Sequence, residues 1–458
     1  MDNIVIIADD LTGAADTAVQ FSPFFEETRL VSYRKWGPNV KPARPTAMRA
    51  MAIYTNSRAL TADAAHRRLL AVAQGLEDLQ GIDIYKKIDS CMRGNVGAEC
   101  DALLDQLDCT ASFITPAFPE MGRTTVGDVH RVHGVPLGLT EIAHDPVTPV
   151  TESGLVKIMA RQSRHAVGYI GLAYLEGDDA RLHKEIERQL QSGVRHIVFD
   201  AGNRAHLDRI ARLFLSLDHN LLPVGSAGLA GSIAKLLDSK PVFTEPAEAI
   251  AADGFNLLVC GTTSDVTRQQ IDELQETAAC EVIQLSPVTL ADRSRTADFS
   301  KAVCAVQSYL LRTDVSLTIN PQPKTSLAGQ PTGNEPDAGE IAEGLGRFAA
   351  QVMAKVKPGH LFLTGGDTAD AVLTALGAEG IRILGEMVAG VVQGVIVGGR
   401  LDGLAVVTKA GAFGQRDTLV AVHEFWQRTE DRGQRTEVRG QRTRLRSSSD
   451  ATARRRRR

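Results

Sequence analysis

Short apolar runs rich in β-branched residues recur along the first half of the chain, at 3–8, 50–54, 82–87, 111–115, 166–169, 196–199 and 221–224. Such runs suit strands buried on both faces. Between them lie stretches with mixed charged and apolar faces, such as 61–75 and 178–193, which predict helices. Strands alternating with helices predict a parallel α/β sheet. The pattern pauses at 238–254, where Pro241 and Pro246 interrupt an Ala-rich stretch, and then resumes. The second half predicts strands at 256–260, 281–284, 314–320, 361–364 and 404–408, with helices at 267–278, 300–311, 340–356 and 368–376. Residues 321–337, rich in Pro, Gly, Ser and Thr, predict a long surface loop. The expected organisation is an N-terminal domain over 1–240, a linker over 241–254, a second domain over 255–426 and a tail over 427–458. Both domains are expected to be α/β with mainly parallel sheets.

Composition narrows the class. With 458 residues, 43% hydrophobic and 23% charged, the chain has the make-up of a globular protein of two or three domains. No window reaches the ~18 consecutive apolar residues of a membrane span; the nearest, 387–399, is short and broken by glycines. The N-terminus has no basic segment ahead of a hydrophobic signal core. The six cysteines include no C-x-x-C pair, which argues against zinc and dithiol chemistry and for reduced thiols in a cytoplasmic protein. The net charge of -4 conceals an asymmetry. Residues 427–458 hold 12 Arg against four acids, a balance of +8, which leaves residues 1–426 at -12. That tail has almost nothing apolar to bury and is expected to be disordered. Its charge suits nucleic acid or an acidic partner, but without interleaved aromatics to stack on bases the preferred expectation is an extension with no site of its own.

In open α/β sheets ligands gather at the carboxyl ends of strands, so the residues following each run carry the candidate chemistry. The run 3–8 delivers Asp9 and Asp10, followed by Thr12 and Gly13 and, within the next helix, Asp16. Adjacent carboxylates there suit hydroxyl binding, Mg²⁺ binding or proton abstraction; the structural alternative is a helix cap by Asp10 or Thr12. The run 82–87 delivers Lys86, Lys87, Asp89, Ser90 and Arg93 into one loop. That set suits an anionic, hydroxylated ligand, with Arg as a fork for a carboxylate. After 111–115, Pro-fixed turns present Arg123. His130, His133 and His144 lack further ligands at metal-binding spacing and read as polar or substrate-loop residues. Gly225-Ser226-Ala227-Gly228 suits either an anion at a helix start or close helix packing.

Three strand ends of the second half carry similar chemistry: CGTTSDVT at 260–267, TGGDTA at 364–369 and KAGAFG at 409–414. Each offers Gly for close backbone approach and hydroxyl, carboxylate or ammonium groups suited to phosphates and their metal ion. Neither a Walker G-x-x-x-x-G-K-[ST] nor a G-x-G-x-x-G motif occurs in the chain.

Taken in order, IADDLTGAAD, KKIDSCMRGN, PAFPEMGRTTVGD, GSAGLA, LTGGDTADAV and TKAGAFG resemble the four-carbon acid sugar kinase family, over about 3–419. The resemblance implies ATP-dependent phosphorylation of the terminal hydroxyl of a four-carbon sugar acid, D-threonate ahead of D-erythronate and 3-dehydrotetronate. It implies that the N-terminal domain holds the acid sugar and the C-terminal domain ATP, with an active-site cleft between them. The substrate residues expected are Asp9, Asp10, Lys86, Lys87, Asp89, Arg93 and Arg123. Those expected around the nucleotide are Ser264, with Thr262 and Thr263 as alternatives, and Gly365, Gly366, Asp367, Thr368, Lys409 and Gly411. Phosphoryl transfer needs positioning and charge neutralisation. Asp10 is therefore the expected base or hydroxyl-orienting group, Arg93 and one of Lys86 and Lys87 the carboxylate grip, and Asp367 an aid through Mg²⁺-bound water. The sugar acid and ATP with Mg²⁺ are the expected partners, in a homodimer without membrane contact. A sugar-acid sensor without turnover is the rival reading; intact Asp10, Arg93, Asp367 and Lys409 speak against it.

Overall fold

The apolar runs of the first half form parallel strands, as their burial on both faces requires. A computed structural model describes residues 3–36, 49–76, 82–237, 254–262, 264–278, 280–293, 295–310, 314–319 and 336–427. The expected linker up to residue 253, Thr263, the loop through 335 and the tail beyond 427 lie outside the described residues. The strands of the first half are β1 (Asn3–Ala8), β2 (Glu27–Ser32), β3 (Arg49–Tyr54), β4 (Asp83–Lys87), β5 (Ala111–Thr115), β6 (Arg123–Val126), β7 (Val129–Val132), β8 (Val135–Pro136), β9 (Ala166–Ile170), β10 (Val194–Phe199) and β11 (Leu221–Gly225). The large sheet runs β2-β3-β1-β4-β11-β5-β10-β9, with parallel neighbours throughout, while β6, β7 and β8 form a small antiparallel sheet of their own.

Register decides where the chemistry emerges. Tyr54 pairs with Ala8, Ala8 with Lys87, Lys87 with Gly225 and Gly225 with Thr115. The five central strands therefore end in one row, and the residues after them leave the sheet along a common edge. Helix Leu11–Phe21 packs close over the sheet because it is built largely of small residues; Ala14, Ala15 and Ala18 are wholly buried.

The strands of the second half are β12 (Leu257–Cys260), β13 (Cys280–Leu285), β14 (Asp314–Ile319), β15 (His360–Thr364), β16 (Gly380–Val388), β17 (Val391–Val397) and β18 (Ala405–Lys409). β13-β14-β12-β15-β18 is an all-parallel array in which Cys260, Thr364 and Lys409 are cross-strand partners. The three motif-bearing loops thus leave from one row here too.

By packing, the chain divides into two units that are not contiguous in sequence. One holds Met1–Thr244 with Gly365–Glu386 and Val392–Gly403; the other holds Glu245–Thr364, Met387–Val391 and Leu404–Arg458. The domain expected over 255–426 is therefore not one packing body. The chain leaves β15 and enters helix Gly366–Leu376, whose Asp370 accepts from Arg34 Nη1 at 2.9 Å and Asn56 Nδ2 at 2.7 Å. β16 then pairs antiparallel with β2, Gly380 opposite Val31 and Arg382 opposite Arg29. The apolar stretch 387–399 is mostly β17, and no described helix is long and apolar enough to cross a membrane.

Candidate active site

At the shared edge of the first unit, Asp9 and Asp10 follow β1 directly. Asp10 is the N-cap of helix Leu11–Phe21: its Oδ1 accepts from Gly13 N at 3.1 Å and its Oδ2 from the Thr12 hydroxyl at 2.7 Å. The cap and the site coincide, because Arg58, arriving from the end of β3, binds both acids. Its Nε donates to Asp9 Oδ2 at 2.6 Å and its Nη2 to Asp10 Oδ1 at 2.8 Å, with Asp89 Oδ1 3.7 Å away. Arg58 thus joins the ends of β3, β1 and β4. No described residue accepts from its Nη1.

Alternation along β4 separates the two lysines, since successive side chains point to opposite faces. Lys86 turns inward, fully buried, with Nζ 2.6 Å from Glu99 Oε2 and donating to the Lys87 carbonyl at 2.9 Å. It is a structural cation, sealed from any ligand, and the expectation of a substrate contact there does not fit its place. Lys87 turns to the other face, against helix Leu11–Phe21. A side chain on Gly13 would begin 2.5 Å from Asp10 Oδ1 and 2.6 Å from Lys87 Nζ, so the missing Cβ leaves room for both groups. Lys87 is only 4% exposed, and its ammonium makes no hydrogen bond or ion pair with a described residue.

Arg93, expected to grip a carboxylate, spends its Nε and Nη2 on Asp89 at 3.0 and 2.9 Å and turns Nη1 toward Asp145 at 3.4 Å. Its fork is occupied by the protein's own acids, and its role is to hold Asp89. The Asp89 loop is braced from behind by His130, which donates from Nε2 to the Ser90 carbonyl at 2.7 Å and faces the Thr125 hydroxyl through Nδ1 at 2.9 Å. Burial drives this imidazole down to about 4, so it is neutral near pH 7 and serves as a strut. Arg123, buried beside the same loop, donates to the Met121 carbonyl.

Electrostatics sorts the acids. Burial would raise Asp9, but the Arg58 guanidinium, with Lys86 and Lys87, outweighs it and holds the carboxyl below its usual range. Asp89 is likewise held well below that range, burial being overcome by Arg93, Arg58 and Lys87. Asp367 behaves oppositely. Although Asp367 is exposed to solvent, the protein packed around it raises its carboxyl, and Asp10, Asp370 and Asp9 add to the rise against Arg58. Asp367 opens helix Gly366–Leu376, after Gly365 at φ 94°, a conformation that favours glycine. A side chain on Gly366 would begin 2.8 Å from Asp10 Oδ2. The Gly-Gly step is what lets the backbone of this loop come up against Asp10.

In the second unit the loop after β18 is clamped onto helix Asp265–Thr277. Thr267 donates from its hydroxyl to the Gly411 carbonyl at 2.7 Å, and Gln270 from Nε2 to the Phe413 and Gln415 carbonyls at 3.1 and 2.8 Å. Lys409 is buried and donates to the carbonyls of Ala410, Gly411 and Phe413 at 3.0, 3.3 and 3.1 Å and to Thr267 Oγ1 at 3.2 Å. Burial lowers its ammonium to about 8. Its four acceptors make it the post around which the loop folds rather than a free phosphate ligand. Ser264 is the N-cap of its helix with no side-chain capping bond, so its hydroxyl is not spent on the backbone. The Thr262 hydroxyl accepts from Ser264 N at 3.2 Å and would lie 2.4 Å from a side chain on Gly411.

These two arrangements have known counterparts. Residues 4–233 match the family described as Sugar-binding N-terminal domain, and residues 257–419 that described as Nucleotide-binding C-terminal domain. The chain is 35% identical over 425 residues to a D-threonate kinase of Bordetella bronchiseptica, covering 91% of this chain and 96% of that protein. It is 30% identical over 431 residues to a D-erythronate kinase of Heliobacterium modesticaldum, covering 91% and 95%. A solved structure from Salmonella typhimurium LT2 shares the fold at a TM-score of 0.73 and 24% identity, over 92% of this chain and 99% of that one. A sugar-binding part followed by a nucleotide-binding part, with charged strand ends in each, defines a carbohydrate kinase that uses ATP. The chain belongs to the four-carbon acid sugar kinase family.

Proposed function

We propose that the protein transfers the γ-phosphoryl group of ATP to the terminal hydroxyl of D-threonate, giving D-threonate 4-phosphate and ADP. The observation that supports this reading most directly is the approach of Gly366 to Asp10 Oδ2. It brings a carboxylate, here read as the proton acceptor, beside a glycine-rich loop suited to phosphates. The likeness to a D-threonate kinase at 35% identity favours that acid over D-erythronate, the second reading, which rests on the 30% relative.

In this mechanism the carboxylate of the acid sugar meets the Lys87 ammonium and the free Nη1 of Arg58, while Asp9 and Asp89, kept ionised, accept from its hydroxyls. Asp10 takes the proton of the terminal hydroxyl as that oxygen bonds to phosphorus and the bond from phosphorus to the β-phosphate oxygen breaks. Oδ2 has a lone-pair site left for this after accepting from Thr12. Mg²⁺ takes one or two carboxylates and completes its shell with phosphate oxygens and water. Asp367 fits that use, and among the described residues no set of three His, Cys, Asp or Glu side chains is arranged to hold a metal alone. When bound, the ion neutralises charge on the transferring group.

The test is a coupled assay of ADP release with ATP and Mg²⁺ against D- and L-threonate, D- and L-erythronate and their 3-dehydro forms. The highest kcat/KM is expected for D-threonate, and a panel without turnover would refute the reading. Asp367→Ala should lower kcat by about 10² or more, the scale of losing one charge-stabilising group. Calorimetric binding of the acid sugar alone should survive in that variant, since Arg58 and Lys87 are untouched.

A further inference from the structure

Asp16 lies on helix Leu11–Phe21 and is buried; its Oδ1 is sealed from solvent and accepts no hydrogen bond from any described residue. Nearly all buried polar atoms have a partner, so this one calls for a reason. Gly13 and Asp16 are three residues apart and share a helix face. Lys87 Nζ occupies the space over Gly13 on that face, with Asp10 Oδ1 on its near side. Asp10, Lys87 and Asp16 therefore follow one another along one stripe of the helix. Lys87 and Asp16 are both buried and of opposite charge, and neither side chain makes a hydrogen bond or ion pair with any described residue, the other included.

The groups that act on Asp16 are few. Burial raises its carboxyl to about 7; Lys87 pulls it down, and Glu386 of β16 and Asp10 push it up. Tyr85, its other neighbour on β4, donates its hydroxyl to the Ser226 carbonyl and stays neutral. Helix Ala227–Ala234, packed on the same side, carries no titratable residue. Asp370 on helix Gly366–Leu376 is taken by Arg34 and Asn56, and Asp367 is set beside Asp10. Glu27 on β2 pairs with Arg29 of its own strand and with Arg49 of β3.

We propose that Asp16 is a positioning residue of the kinase: its carboxylate, on the same helix face as Lys87 but not in contact with it, draws the ammonium electrostatically toward the orientation that meets the acid sugar, and this pull is lost when Asp16 is protonated. This rests on the reading that Lys87 meets the substrate. Ionised above about pH 7, Asp16 attracts Lys87; protonated below it, Asp16 does not. Affinity for the acid sugar therefore rises with pH through that range.

The experiment is the pH profile of kcat/KM for D-threonate at saturating ATP and Mg²⁺, for the full chain and for Asp16→Asn. For a single ionisation near 7, the natural chain should gain about tenfold from pH 6 to pH 8. Asp16→Asn should be flat over that range, at or below the natural chain's value at pH 6, with the loss in KM for the acid sugar and KM for ATP little changed. Its melting temperature at pH 8 should hold or rise, because the amide removes a charge that burial opposes. A retained pH limb in Asp16→Asn overturns the proposal, and so does loss of activity together with a fall in melting temperature. Should Asp16→Asn not fold, Lys87→Met decides: the limb must vanish with the ammonium, and its persistence overturns the proposal. Failure of the natural chain to phosphorylate any four-carbon acid is a different result and sinks the functional reading; an active natural chain with a flat profile sinks only this inference.

Discussion

Asp10→Asn should lower kcat by about 10² to 10⁴, the range for loss of a general base, and leave KM for ATP little altered. The amide keeps the shape of the side chain and its oxygen can still cap helix Leu11–Phe21 through Gly13 N, since Asn and Asp serve equally well at that position. What it loses is the capacity to take a proton beside Gly366 and the negative charge facing Arg58, which keeps its pairing with Asp9. The melting temperature should therefore change little while turnover collapses. The check is steady-state kinetics beside a thermal melt on the same preparation. Near-normal kcat would remove Asp10 as the base. Asp89 and Asp9 are poor successors, for Arg93, Arg58 and the lysines hold both well below the usual carboxylate range. Attention would then turn to Asp367, whose carboxyl is raised.

Much of this site is legible in sequence because parallel strands report themselves. A run such as IVIIA is buried on both faces, and the residue after its last apolar position marks the edge where ligands bind. Asp9, Asp10, Lys87 and Asp89 follow from that rule alone. The same rule reaches Arg58, which no charged motif announces: it stands four residues beyond the end of β3, in the plain-looking segment Thr55-Asn56-Ser57-Arg58. Only when plain strand ends count equally with charged ones does it come into view. The period of two along β4 likewise places Lys86 and Lys87 on opposite faces from their positions in the sequence.

Other features leave no such mark. β2 alternates buried and exposed positions and includes Glu27 and Arg29, which reads as surface. β16 and β17 are broken by glycines that weaken a strand pattern. The pairing of β16 with β2 ties Gly380–Glu386 to the first unit, so with both strands unmarked the way the chain returns is hidden as well. Nor does charge count reveal commitment. Arg93 and Lys409 look available in sequence, yet their partners, Asp89 in one case and a ring of backbone carbonyls in the other, are fixed by local folding and are set only once the chain is folded.

Gly13→Ala should separate activity from stability more sharply than any charge change in the site. Its new methyl group would start 2.5 Å from Asp10 Oδ1 and 2.6 Å from Lys87 Nζ, well inside ordinary contact distance. Neither obstacle is backbone, so the fold can accommodate the methyl by pushing two side-chain ends aside. Alanine favours the helix by about 1 kcal/mol over glycine, and displacing the Asp10 cap costs about as much. The two effects offset each other, and the melting temperature should stay within a few degrees. Catalysis has no such compensation, because a shift of about 1 Å in a reacting group can cost about 10² in rate. Here both the proton acceptor and the ammonium move. We therefore expect kcat/KM for D-threonate to fall by about 10² or more, with the loss shared between kcat, through Asp10, and KM for the acid sugar, through Lys87. A Gly13→Ala enzyme of normal kcat/KM would show that Asp10 and Lys87 lie off the reaction path. An enzyme that lost stability in step with activity would show instead that helix Leu11–Phe21 has no room to yield.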